Sequence, residues 1–429
     1  MKSVLIICSS FPPQSDVGGL RPAMMAKYLP EFGWKLHVLT RDHGWDHACR
    51  DEKMPLDGMP AADSIIRVEI PAQQERDYLR QRGRLGQLRD FFQVEHAHPP
   101  GACETMYRAA LPRVERYHVQ AIWATAPDYG PLRLGRDLAE RLRVPWIADF
   151  RDIPEQEAGM PQPWREYLLA RRTIWRRRQL VSSAAMLTSV SPHHCRVLQD
   201  RLQKPCELIY NGFDETLFTP SRVCRTDRFR IVYTGRILSQ WYQNPELAFR
   251  SLDELIRAGA IDPAKLEVVF YGTDDGVLKD IMAPYRSARC VRLHSRIPYP
   301  EVPQVLAQAS ILLLLTNVGR GGILTTKLFE YLAARRPILC VSAQPQDDIP
   351  VLLRQTNSGL GTCSLDEAKH FLLHAYQQWS EEGCVSVTPN DDLIAGFSRR
   401  GQAKGLAKLL DEITRSPAHG CLNVRQFDR

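Results

Sequence analysis

Lys327 and Glu330 lie three residues apart, directly behind a run of glycines in NVGRGGILTTKLFEYLAARRPILC (317–340). On a helix this spacing puts an ammonium and a carboxylate on one face, here read as the solvent side. An ordinary surface pair of this kind contributes only about 0.2–0.5 kcal/mol. Behind Gly319, Gly321 and Gly322 the two residues have a second use. First-turn amides and Lys327 offer positive charge to a diphosphate, with Thr325 or Thr326 placed to cap the helix. A carboxylate one turn deeper, Glu330, can accept hydrogen bonds from ribose hydroxyls.

Four other stretches carry candidate chemistry. YTGRILSQWYQNPE (233–246) sets Gly235 and Arg236 behind a strand, a close-approach glycine and a planar fork for phosphate oxygens. Together with Arg236, the Lys327–Glu330 pair favours a site over a surface pair. FYGTDDG (270–276) ends a strand in Gly272, which could line a base pocket or simply turn the chain. IADFRD (147–152) places Asp149, Arg151 and Asp152 at a strand end, where a carboxylate could activate a nucleophile or steady positive charge. The structural alternative there is Asp152 capping the next segment with Arg151 as its partner. SSFPPQSDVGGLRP (9–22) has Gly18, Gly19 and Arg21 where a first strand gives way to its helix, either an anion loop or a plain turn. The chain holds no GxGxxG fingerprint and no Walker lysine loop, which removes the usual support for dinucleotide or ATP binding.

Strand-length apolar runs alternate with helical-period segments, so the chain is read as α/β with parallel sheets covered on both faces. The runs are SVLIICS (3–9), KLHVLT (35–40), SIIRVEI (64–70), QAIWAT (120–125), PWIADF (145–150) and AMLTSV (185–190). A second series follows: FRIVYTG (229–235), LEVVFYG (266–272), CVRLH (290–294), ILLLLT (311–316) and PILCVS (337–342). Two domains are expected, 1–208 and 209–397, with a final helix over 398–415 packing back on the first. Open sheets of this kind bind ligands beyond the carboxyl ends of their strands. Every candidate above sits at such an end.

The 429 residues suit two domains, and 56 Lys and Arg against 49 Asp and Glu give a net charge of +7. The excess gathers in RDYLRQRGRLGQLRDFF (76–92) and WREYLLARRTIWRRRQL (164–180). These read either as solvated helical faces or as contacts for anionic lipid or a phosphorylated acceptor; no motif supports nucleic acid. No apolar run reaches the ~20 residues of a membrane span. The N-terminal run breaks at Phe11-Pro12-Pro13 and reads as a strand rather than a signal peptide. Eleven cysteines without CxxC spacing suit a reducing cytoplasm and argue against a zinc site.

Taken in order, FPPQSDVGGLRPAMMAKYLPEFGWKLHVLT, VPWIADFRD, SVSPHHCRVL, LIYNGFD, IVYTGRI and TTKLFEYLAARRPIL resemble the GT-B fold glycosyltransferases over almost the whole chain. Within them the chain is similar to retaining family 4, in a subgroup with DFRD and KLFEYLA motifs. The resemblance implies two doubly wound, Rossmann-like domains facing across a cleft. It implies a UDP- or GDP-sugar donor on the second domain and a saccharide or lipid-linked acceptor mainly on the first. It also implies retained configuration and no required metal or other cofactor; with the cysteines and the arginine-rich helices, a cytoplasmic protein peripheral at the inner membrane face is expected. Gly18 and Gly19 then match the loop near the donor's phosphates and sugar, Arg236 the diphosphate arginine, and Glu330 the second glutamate of an E-x7-E motif. The first glutamate falls on Gly322, so backbone N–H groups of 322–326 would grip the sugar. The lysine usual after the glycine-arginine pair is absent, and Lys327 is placed to replace its charge. DFRD stands where the family commonly has histidine. Two other readings stay open: a nucleotide-sugar epimerase on the same fold, and a non-catalytic nucleotide-sugar-binding subunit.

Overall fold

The computed structural model describes residues 2–13, 17–42, 59–70, 101–126, 129–157, 164–219, 225–237, 243–272, 276–316 and 321–415. The basic stretch 76–92 lies outside them, as does Gly319. Contacts divide the chain into two compact units. One comprises the described residues of Met1–Glu155, Met160–Tyr210 and Arg400–Arg429; the other comprises those of Gln156–Gly159 and Asn211–Arg399.

The first unit holds strands β1 (Lys2–Cys8), β2 (Trp34–Asp42), β3 (Ile65–Glu69), β4 (Ala121–Ala126), β5 (Trp146–Phe150), β6 (Met186–Ser189) and β7 (Cys206–Leu208). They lie in the order β3-β2-β1-β4-β5-β6-β7, every pair parallel. Its helices are α1 (Val17–Tyr28), α2 (Ala102–Tyr117), α3 (Gly130–Leu142), α4 (Trp164–Leu180) and α5 (Pro192–Leu202). The second unit holds β8 (Phe229–Thr234), β9 (Leu266–Tyr271), β10 (Val291–His294), β11 (Ile311–Leu315), β12 (Ile338–Val341) and β13 (Gly359–Thr362), ordered β10-β9-β8-β11-β12-β13 and again all parallel. The elements that matter there are α6 (Glu246–Arg257), α7 (Gly276–Met282), α8 (Val302–Ala307), α9 (Thr326–Ala334), α10 (Asp348–Gln355), α11 (Leu365–Glu382) and α12 (Asp391–Gly396). A last helix, α13 (Arg399–Arg415), belongs to the first unit from Arg400 onward.

Central strands buried on both faces split their side chains between two cores, as a period of two requires. Leu5 and Ile7 of β1 join Ile122 and Ala124 of β4, together with α2 and α3 residues such as Met106 and Leu138. Val4, Ile6 and Cys8 point to the opposite face, where they meet Met25 of α1 and Ala403, Leu406 and Leu410 of α13. In the second unit Phe229, Ile231 and Tyr233 of β8 pack with Leu313 of β11, Leu252 of α6 and Trp379 of α11.

The eleven apolar runs anticipated from sequence are strands, and two further strands are added. β7 is only three residues long, and β13 (GLGT) has two glycines and one large apolar side chain, so neither carries a strand pattern. Both sheets reverse their strand order at one point, between β1 and β4 and between β8 and β11. Such a switch point leaves the carboxyl edge uncovered by a crossover and open to a ligand.

Leu410 is fully buried in the face that α13 covers. Leu410→Ala should therefore cost about 2–5 kcal/mol, read as a lowered midpoint in urea unfolding; a change under 0.5 kcal/mol would mean that α13 is not part of the core.

Candidate functional site

The switch point of the second unit gathers several of the residues named from sequence. β8 ends at Thr234 and hands over to Gly235 and Arg236, while α9 lies behind β11. Tyr331 of α9 is buried, and its hydroxyl accepts from the Thr234 amide at 2.9 Å, also meeting Thr234 Oγ1 at 3.2 Å. Burial pushes that hydroxyl up to about 12. The bond ties the end of β8 to the first turns of α9. Lys327 lies in the same gap, its Nζ 3.5 Å from the Tyr233 hydroxyl and 5.3 Å from that ring's centroid. Gly235, at φ 129, leaves the room: a Cβ there would lie 2.5 Å from Lys327 Nζ and clash with Cε as well. Burial lowers the Lys327 pKa and Glu330 raises it.

Arg236 follows on the exposed side. Its carbonyl accepts from Tyr233 Oη at 3.1 Å, while its guanidinium has no partner among the described residues. The Gly235 amide donates to Tyr271 O at 2.8 Å and the Gly272 amide to His294 O at 2.9 Å, so the ends of β8, β9 and β10 are stitched side by side. Tyr271 stacks on His294 with ring centroids 4.9 Å apart. Gly272 sits against the Gly235 backbone, 3.7 Å from a Cβ built on it, and Gly322 is half-buried in a turn at φ 77.

Two expectations need correction. Lys327 and Glu330 are not a solvent-side pair: Glu330 is 6% exposed, because the helix packs this face inward beside Leu328, Phe329 and Tyr331. Its carboxyl pKa is raised by burial, against the opposing pull of Arg399, then Tyr299, then Lys327. Tyr299 faces the carboxyl, though its hydroxyl lies outside full hydrogen-bond geometry. The threonine cap is also different. Thr325 holds the cap position with extended backbone, but its hydroxyl caps nothing, and Thr326 is the first helical residue.

In the first unit, Asp149 stands fully buried at the middle of a hydrogen-bonded cluster. Arg21 grips it bidentately, Nε to Oδ2 at 3.1 Å and Nη2 to Oδ1 at 2.9 Å, and Thr125 and Thr188 each donate at 2.7 Å. Those four bonds use the acceptor capacity of both oxygens. Arg21, read from sequence as an anion binder, is thus committed to Asp149 and, through Nη1, to Tyr210 O at 2.9 Å. Arg151 donates to Gly18 O at 2.7 Å, joining the end of β5 to the first turn of α1; Asp152 is exposed and Gly19 buried. Sequence reasoning did not single out Thr125 and Thr188, whose only signal is a hydroxyl inside an apolar strand run. It also passed over Tyr331, Tyr299 and Arg399, two aromatics that read as core and an arginine that reads as surface.

The basic helix α4 is only partly exposed. Arg177 turns inward to an ion pair with the half-buried Glu155, while Arg171, Arg172 and Arg178 face outward and Trp175 between them is 59% exposed. No helix among the described residues is long and apolar enough to cross a membrane. Among the described residues, no group of three or more His, Cys, Asp or Glu is assembled as a metal would need.

Removing one partner of a buried ion pair leaves the other charge unanswered, at about 3–5 kcal/mol. Asp149→Ala should destabilise the protein by that amount in chemical denaturation, whereas the exposed Asp152→Ala should stay within about 0.5 kcal/mol.

No family model and no curated sequence matches the chain. Its likeness is to solved structures. The sucrose-phosphate synthase of Thermosynechococcus elongatus is 12% identical, with a TM-score of 0.59 over 97% of each chain. Anabaena HepE in complex with UDP-glucose is 13% identical, with a TM-score of 0.52 over 97% of this chain and 98% of that one. An Escherichia coli trehalose-6-phosphate structure bound with UDP-2-fluoro glucose is 12% identical, with a TM-score of 0.58 over 96% and 99%. At such identities the likeness is one of architecture. With its two doubly wound parallel sheets in series, the chain has the fold of the GT-B glycosyltransferases.

Proposed function

We propose that the protein is a glycosyltransferase that moves a sugar from a nucleotide-diphosphate sugar, a UDP-sugar before a GDP-sugar, to a saccharide or lipid-linked acceptor with retention of configuration. The observation that carries this reading is the pairing of two cations at the β8/β11 switch point. Arg236 presents a guanidinium without a partner among the described residues, and Lys327 lies against the backbone of Gly235. Both stand where a pyrophosphate would meet the edge of a doubly wound sheet. The UDP-sugars bound to two of the similar structures support the choice of donor.

In this reading Arg236, Lys327 and the first amides of α9 answer the charge that grows on the leaving diphosphate as the glycosidic C–O bond stretches. Preorganised charge of this kind usually contributes the largest share of catalysis. Glu330 holds the ribose hydroxyls, and Gly272 and Gly322 line the nucleotide and sugar with backbone. The leaving phosphate oxygen takes the acceptor's proton, so a front-face displacement needs no protein base. Asp149 serves by position: its bonds to Arg21 and the strand threonines fix α1, and Arg151 fixes the Gly18–Gly19 turn. Asp152 is the exposed carboxylate of that rim and the candidate contact for an acceptor hydroxyl. Gly322, standing in place of an acid, favours a second reading, a subunit that binds a nucleotide sugar without turning it over.

Incubation with a panel of UDP- and GDP-sugars and a lipid extract tests the reading through acceptor-dependent release of nucleotide. An isomerised sugar without release would instead mean an epimerase, and binding without turnover the non-catalytic subunit. Arg236→Ala should lower turnover about 100-fold or more, as losing an oxyanion contact does. Glu330→Ala should weaken donor binding, and unchanged affinity would remove Glu330 from the site.

A lipid-linked acceptor is supported by α4. Trp175 projects from the centre of an arginine-bearing face, and an indole ringed by cations suits the headgroup level of an anionic bilayer. Cosedimentation with phosphatidylglycerol vesicles should exceed that with phosphatidylcholine, and Trp175→Ala should reduce it several-fold. Equal binding to both vesicles would discard the membrane role.

A further inference from the structure

Asn211 opens the main stretch of the second unit, and its side chain reaches far along the sequence: Nδ2 donates to Leu324 O at 3.2 Å. Leu324 is 3% exposed and stands outside helix and sheet, directly before Thr325, the cap residue of α9. A buried carbonyl in such a place has no ladder to join and needs a partner from elsewhere. Asn211 supplies it, and so sets the depth of the turn that leads into α9.

The anchor is itself held. Gly212, at φ 67, lets the chain run close against Phe397: a Cβ there would lie 2.6 Å from Phe397 O. The Phe213 amide donates to Phe397 O at 3.2 Å and the Arg399 amide to Phe213 O at 2.8 Å, around an isolated parallel bridge between Phe213 and Ser398. Asp214 then closes a tight turn. Its carboxylate accepts from Thr216 N at 3.1 Å and Thr216 Oγ1 at 2.8 Å, and its carbonyl accepts from Phe218 N at 2.9 Å. The residues that follow Asn211 are pinned one after another, so its carboxamide is a fixed point.

What it fixes matters because α9 begins without a side-chain cap. The Thr325 hydroxyl accepts none of the first-turn amides, and the first N–H groups of a helix have no partner within it. Uncapped amides of this kind attract an anion, and Lys327 stands in the same turn against Gly235. One turn deeper, Tyr331 ties the helix to Thr234. The helix is thus held at two points, and Asn211 is the one at its entry.

We infer that Asn211 is a positioning residue that holds the entry of α9 at the depth where its first amides receive a diphosphate. The ligand half of this rests on the proposed function; the hold on the turn does not. Groups that answer charge must be in place beforehand, and a misplacement of about 1 Å can cost about 100-fold in rate.

Hydrogen exchange tests the hold without a ligand. In Asn211→Ala the amides of 322–328 should exchange several-fold faster than in wild type, while those of β8 and β11 keep their wild-type rates. Asn211→Asp has the same shape but offers an oxygen where the donor was, and should do the same. Wild-type exchange over 322–328 in both variants would overturn the hold. Calorimetric titration tests the ligand half, with UDP, GDP, uridine and guanosine as probes. Asn211→Ala should bind the preferred diphosphate about tenfold more weakly, a loss of about 1.4 kcal/mol, and its nucleoside as wild type does. Faster exchange with no nucleotide bound by wild type would sink the functional reading and the ligand half, leaving the hold intact. Undiminished diphosphate affinity in Asn211→Ala, or an equal loss for the nucleoside, would sink the positioning role itself.

Discussion

A carboxylate inside a protein survives as a carboxylate only where cations stand close enough to offset the water it has lost. Glu330 has lost that water, and burial raises its pKa against the opposing pull of Arg399, Tyr299 and Lys327. Lys327 comes from the turn of α9 that precedes it, and Arg399 comes from a segment held by the Phe213–Ser398 bridge. Tyr331, the next residue along, fastens the same helix to the end of β8. The helix is thereby fixed in depth and rotation. That fixing places Lys327 in the space left by Gly235 and leaves Arg236 outside, facing solvent.

The first unit solves a different problem with similar means. Its switch point lies between β1 and β4, and α1, the helix that follows β1, is anchored there. Asp149, at the end of β5, does this through Arg21, while Thr125 and Thr188 on the flanking strands fill its remaining lone pairs. Every polar atom in that cluster is matched, which makes it rigid. Around Glu330 in the second unit, Tyr299 Oη and Arg399 Nε and Nη1 lack hydrogen-bond partners.

How much of this the sequence disclosed follows from how local each signal is. Strands buried on both faces announce themselves as continuous apolar runs, and β1, β8 and β11 were legible for that reason. Glycine and a cation just beyond a strand, as at Gly235–Arg236, are legible too, because strand ends in such sheets face ligands. The inward turn of Glu330 was not. KLFEY reads as an amphipathic helix with its charges out, and only the fold brings Arg399 and Tyr299 to receive the acid. Arg21 and Asp149 are 128 residues apart, and nothing local tells either that it will be spent on the other. Short edge strands such as β13 failed for want of side chains to pattern.

Burial of Ala403, Leu406 and Leu410 against Val4, Ile6 and Val38 has a consequence for biosynthesis. The second unit, drawn from 211–399, emerges from the ribosome as a continuous stretch and can condense at once. The first unit waits, one side of β1 and β2 covered by α1 alone, until α13 has been translated. For the whole of that interval part of an apolar sheet face lacks its cover, so nascent chains of this protein should be clients of the chaperones that shield such surfaces.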